Sequence, residues 1–275
     1  MRVAGWFCLA LLLTACANGR DARPNAERVA VSAGMRRMDI ETAAFHLVAY
    51  VRFGAAPVLR VYIEGDGHAW SRRDTPSSDP TPWSPVALEL AARDPAPSVA
   101  YLARPCQFIA PGTDSRCDVY YWTEGRYAEP VIASASAAIE RLLAASGARS
   151  LELVGFSGGG AVAALVAARR PDVSKLRTVA ANLDTSAWTE ALGLSPLTGS
   201  LNPADFAAQL QNLPQMHFVG GEDTVVEATI FRAYRARFSK FDCVHVGIVL
   251  GLGHREGWPE VWPDLLNRPV TCIAS

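Results

Sequence analysis

The stretch from Leu151 to Pro171 constrains the fold more than any other part of the chain. Leu151 to Phe156 is an apolar run with the length of a buried strand. With no linker it enters the turn Gly155-Phe156-Ser157-Gly158-Gly159, which opens a small-residue helix from Gly160 to Arg170, halted at Pro171. A buried strand that turns at once into a helix belongs to a βαβ unit, and such units build parallel sheets covered by helices.

The rest of the chain repeats the alternation. Phe45 to Phe53 and Val58 to Ile63 carry aromatic and β-branched residues and are separated by Gly54 and Pro57, which suggests a leading antiparallel hairpin. Ser98 to Leu102 is a further short apolar run. Tyr127 to Ala145 has helical spacing and closes at Gly147. Leu176 to Leu183, Met216 to Val219 and Val244 to Leu250 are strand candidates, with a helix expected from Thr224 to about Phe238. The expected class is α/β, a mostly parallel sheet with an antiparallel start. Thr185 to Gln215, broken by Pro196, Gly199 and Pro203, fits no simple crossover and is expected to form at most a small lid.

Half of the 275 residues are apolar and the net charge is −1, with Lys and Arg scattered. That is enough for one large core, and it offers no electrostatic footprint for nucleic acid. The N-terminus is different. Arg2 is followed by an apolar run from Val3 to Leu13 and by Leu13-Thr14-Ala15-Cys16. The run is too short to span a bilayer of about 30 Å and reads as a signal segment, residues 1–15. The tetrapeptide resembles a bacterial lipobox, which implies an acylated Cys16 and a periplasm-facing membrane lipoprotein, with the outer membrane preferred. Residues 16–38 are expected to be a tether, and 39–275 the folded domain. Four cysteines remain: Cys106, Cys117, Cys243 and Cys272. In an exported domain they imply two disulfides, for which three connectivities exist. The sequence-local pairs Cys106–Cys117 and Cys243–Cys272 are the expectation, and a metal site is not expected.

A serine in a glycine-rich strand-to-helix turn has the context of a nucleophile elbow. Serine needs a base and the base an orienting acid. Asp223 follows the strand candidate ending at Val219, and His254, flanked by glycines, follows the run ending at Leu250. Asp184 is the rival acid. His46, His217 and His245 lie in strand-like segments and are expected to be packing or rim residues. The backbone N–H of Gly158 is one expected oxyanion donor, and that of Asp66 or Gly67, in Glu64-Gly65-Asp66-Gly67-His68-Ala69-Trp70, is the second. Trp70, Tyr121, Trp122 and Trp188 are aromatics that could line a pocket.

Elbow, acid, histidine and early glycine loop, in that order, resemble the α/β-hydrolase superfamily over roughly Asp39 to Ser275, and more narrowly its exported bacterial lipoproteins. The resemblance implies helices on both faces of the sheet, a Ser157–Asp223–His254 triad, an acyl-enzyme mechanism on a small-molecule or cell-envelope ester, and no cofactor. The usual His-Gly of the oxyanion loop is replaced here by Glu64-Gly65. Two other readings exist. One is a non-catalytic envelope binding protein on the same fold. The other is a Rossmann-type oxidoreductase, since Gly158 to Ala163 also fits G-x-G-x-x-A, with Asp184 as a ribose acid.

Overall fold

A helix precedes the first strand in the computed structural model, which describes residues 21–273. This α1 (Arg23–Ser32) carries a proline in its first turn, where the missing N–H costs nothing. Ala22, Ala26 and Ala30, four residues apart, are its buried face, against α2 (Val86–Ala92). Strand β1 (Arg36–Glu41) follows and pairs antiparallel with β2 (His46–Arg52). The expectation of a tether over 16–38 is therefore corrected: from Ala22 onward these residues belong to the folded domain, while 16–20 and the signal segment lie outside the described residues. The leading hairpin is β1–β2 and not the pair of runs on either side of Gly54. The second run, β3 (Val58–Ile63), lies parallel between β6 (Val99–Leu102) and β7 (Ser150–Phe156).

The remaining strands, β8 (Val173–Val179), β9 (Gln215–Gly220) and β10 (Val244–Val249), extend the sheet in parallel. The order is β1-β2-β6-β3-β7-β8-β9-β10. A separate two-stranded hairpin, β4 (Trp70–Arg72) with β5 (Thr75–Pro76), projects from the loop after β3. Helices cover both faces. On one, α3 (Glu129–Ser146) and α4 (Gly158–Ala167) lie with Phe231 and Tyr234 of α7 (Ala228–Arg235) over Leu151, Leu153 and Leu176. On the other, α1, α2 and α8 (Trp258–Leu266) cover Tyr62, Val154 and Phe218. Helix α3 stops where expected, with Gly147 in the left-handed conformation as its C-cap.

The segment expected as a lid folds as α5 (Thr185–Ala191), a 3-10 turn (Pro203–Phe206) and α6 (Ala207–Leu210), and its loop from Leu194 to Thr198 lines the cleft described below. Cys106 is bonded to Cys117 and Cys243 to Cys272, the sequence-local pairs. Among the described residues no helix is long and apolar enough to cross a membrane.

Candidate active site

Ser157 sits between β7 and α4 with φ +51° and ψ −124°, a conformation that only a tightly held turn sustains for a residue with a side chain. Its N–H donates to the carbonyl of Val179, and its own carbonyl accepts from Gly160 and Asn182, so the turn is fixed from both sides. Gly158 follows it for a steric reason. A Cβ there would lie 2.0 Å from a carboxylate oxygen of Asp66 and 2.7 Å from the hydroxyl of Tyr127.

Two loops from neighbouring strands bring the other groups to the serine. The loop after β9 carries Asp223, and the loop after β10 carries His254. Gly220 lets them touch, because a Cβ there would meet the carbonyl of Leu252 at 2.5 Å. The N–H of Glu222 donates to that carbonyl, and Gly221 N–H to the carbonyl of Val249. One oxygen of Asp223 accepts from the N–H groups of Val225 and Val226, both at 2.8 Å. Its other oxygen lies 2.8 Å from Nδ1 of His254, whose Nε2 lies 2.9 Å from Oγ of Ser157. The Asp223 side chain is fully buried, and His254 keeps a sliver of exposure toward the cleft. The indole of Trp258 donates to the carbonyls of Gly253 and His254, and the ring of Phe156 lies 5.6 Å from the imidazole, so the ring plane is set by packing.

Asp184 takes no part. It caps α5, accepting from Ala187 N–H and from the amide of Asn202. His217 is buried between Thr178 and Gln215, and burial pushes it down to about 3, so it stays neutral. His46 bridges Asp39 and Glu41 at the sheet edge, and His245 meets the carbonyl of Thr271.

The glycine loop after β3 lies against the elbow, with Gly65 approaching Cβ of Ser157. The N–H groups of Gly158, Asp66 and Gly67 find no acceptor among the described residues. The side chain of Asp66 has a role that its spacing did not suggest. It is clamped by Arg104 at 3.1 Å and Arg126 at 2.8 Å, and Tyr127 donates to it at 3.2 Å. Burial opposes its charge, but Arg126 and Arg104 outweigh that and hold the carboxyl below its ordinary value. Arg104 also donates to the carbonyl of Arg126, which ties the two cations together. Sequence reasoning missed both arginines, since lone arginines in loops carry no spacing signal. Glu64, in the place where the resemblance leads one to expect histidine, is fully buried. It accepts from Gly65 N–H at 2.9 Å and more distantly from Ala87 N–H, and burial raises it to about 7.

These groups floor a cleft of roughly 1380 Å³. Trp188, Leu194, Pro196 and Leu197 line it together with Trp70, Pro82, Trp83 and Val86. Trp122 and Tyr121 are absent from it: the first is buried with its indole donating to the carbonyl of Ser77, and the second packs edge-on against Phe45.

Sheet order, elbow and loop placement define an α/β-hydrolase fold. Solved structures with which the chain shares it include a membrane phospholipase A described as a bacterial virulence factor, at 16% identity and TM-score 0.55, covering 89% of each chain. Est1E from Butyrivibrio proteoclasticus is another, at 14% and 0.57, covering 84% of this chain and 95% of that one. The α/β hydrolase GrgF from Penicillium sp. sh18 superposes at 12% and 0.59, covering 85% and 96%. No protein-family model and no curated protein matches the chain.

Proposed function

We propose that this chain is an exported, lipid-anchored serine hydrolase that cleaves carboxylic or thio esters through an acyl-enzyme on Ser157. The observation that carries the reading is the unbroken hydrogen-bonded line from Ser157 Oγ through His254 to Asp223, opening into a cleft. In this reading Nε2 of His254 takes the hydroxyl proton as Oγ attacks the carbonyl carbon. Asp223 holds the imidazole by Nδ1–H and stabilises the imidazolium. The oxyanion is received by Gly158 N–H together with that of Asp66 or Gly67. The imidazolium then returns the proton to the departing alcohol or thiol, leaving the acyl group on Oγ. A water deprotonated by His254 releases the acid and restores the serine. An esterase from Pyrococcus furiosus and a membrane phospholipase A among the structural neighbours support an ester substrate. The lipobox-like Leu13 to Cys16 supports export and anchoring on the periplasmic side of a membrane.

The non-catalytic alternative gains nothing from a serine and an imidazole at hydrogen-bond distance. The nucleotide alternative meets the Asp66 carboxylate against Gly158, an anion where a pyrophosphate would lie. The test is turnover of p-nitrophenyl esters of graded chain length. Ser157→Ala is expected to lower kcat by about 10⁴-fold or more, and Asp223→Asn by about 10⁴-fold, with unchanged thermal unfolding. A Ser157→Ala protein as active as wild type would refute the mechanism.

A further inference from the structure

We infer that the rim of the cleft rests on the same bilayer that holds the N-terminal anchor, so that the cleft opens onto the lipid surface. The inference rests on the acylation of Cys16 proposed above, and adds to it an orientation that acylation alone does not imply.

The first observation is where the described chain starts. Arg23 donates to a carboxylate oxygen of Asp79 at 2.8 Å and to the carbonyl of Ile109, and the amide of Asn25 donates to the carbonyl of Trp83 at 3.1 Å. The beginning of α1 is thus seated on the segment from Ser77 to Trp83, which links the β4–β5 hairpin to α2 and supplies Pro82 and Trp83 to the cleft wall. From Cys16 to Asp21 there are five residue steps. Even fully extended, these span at most roughly 18 Å. An acyl chain on Cys16 therefore enters the bilayer close to this side of the molecule.

The second observation is what surrounds the opening. Trp70, Trp83, Leu194 and Val225 line the cleft, yet each remains about two-fifths exposed (40%, 44%, 40% and 42%). Single exposed apolar residues are ordinary, but four around one mouth form a patch that wants a partner. The hairpin that carries Trp70 has Arg72 and Arg73 at its turn, both exposed and without an ion-pair partner among the described residues. Tryptophan beside arginine suits the boundary between acyl chains and anionic headgroups, the indole at the interface and the guanidinium among phosphates. Asp74 shares the turn, and Glu124, Glu222, Arg255 and Glu256 are further exposed charges on the cleft lining. The mouth as a whole therefore carries no net positive charge, and the tryptophans, not the charge, favour the lipid interface.

The test uses the full-length protein, purified from membranes and reconstituted on phosphatidylcholine–phosphatidylglycerol vesicles with either brominated or unbrominated acyl chains. Bromine should quench the share of emission carried by Trp70 and Trp83. The Trp70→Phe, Trp83→Phe protein, acylated and vesicle-bound alike, should lose that quenching. Mass spectrometry of the N-terminal peptide reads the anchor separately. Acylated, vesicle-bound protein whose tryptophans are unquenched would overturn the orientation while leaving the proposed anchoring intact. A protein without acylation would remove the anchoring and this inference with it. A detergent-free dimer that the double substitution dissociates, with no quenching, would assign the patch to a second copy and overturn the lipid partner.

Discussion

Ser157 stays in a strained backbone conformation because its neighbours leave it no other, and Glu64 sits beneath the adjoining loop under a different constraint. Its carboxyl is surrounded by α2, Gly65 and Tyr101 and is cut off from water. Unfolded, a glutamate titrates near 4.3. Folded, burial raises Glu64 to about 7, although the N–H groups of Gly65 and Ala87 work in the other direction. Between those values the folded chain keeps a proton that the unfolded chain has released. The stabilisation from this group is therefore complete below about pH 4.3 and declines as pH rises through 7. At about 1.4 kcal/mol per unit, the decline amounts to roughly 4 kcal/mol by about pH 8. Urea unfolding across that range should show Glu64→Gln gaining on wild type by this order as pH rises. A stability gap that stays constant with pH would mean that Glu64 is ionised throughout.

Elements were legible where a segment's own pattern decided its structure. The strands β3, β7, β9 and β10 and the helix α3 carry apolar runs or helical spacing ended by glycine, and they formed within a few residues of the expected bounds. Asp223 and His254 were legible for the same reason, since each follows such a strand. What could not be read depended on partners remote in the chain. The Ala22, Ala26, Ala30 stripe of α1 is helical in spacing, but Pro24 and the charges around it read as linker until α2 supplies a surface to cover. The pairing of β2 with β1 instead of β3 is likewise a choice between competitors, not a local property. The packing of α1 can be tested alone. Ala30 is fully buried, so Ala30→Glu would force a carboxylate into the α1–α2 contact. A loss of about 3 kcal/mol or more in denaturant unfolding is expected. A loss under about 0.5 kcal/mol, the range of neutral surface changes, would return the helix to the status of a tether.

On the scale of the whole molecule, the sheet joins chemistry contributed by residues nearly two hundred positions apart, from Asp66 to His254, at the carboxyl ends of parallel strands. Its periphery is closed covalently. Cys243–Cys272 fastens the C-terminal segment to the start of the edge strand β10, and Cys106–Cys117 closes the loop that leads to Arg126. For closed loops of 29 and 11 residues, chain entropy assigns each bond roughly 3 kcal/mol. Reductant should accordingly lower the melting temperature by several degrees, and a melting curve indifferent to reductant would contradict that assignment. The proposed function depends on a serine made nucleophilic by its neighbours. Its most direct measurement is the mapping by mass spectrometry of the residue modified by a fluorophosphonate probe. One adduct is expected, on Ser157, and it should disappear in His254→Ala as well as in Ser157→Ala. A folded protein that takes up no probe, or takes it up elsewhere, would contradict that function.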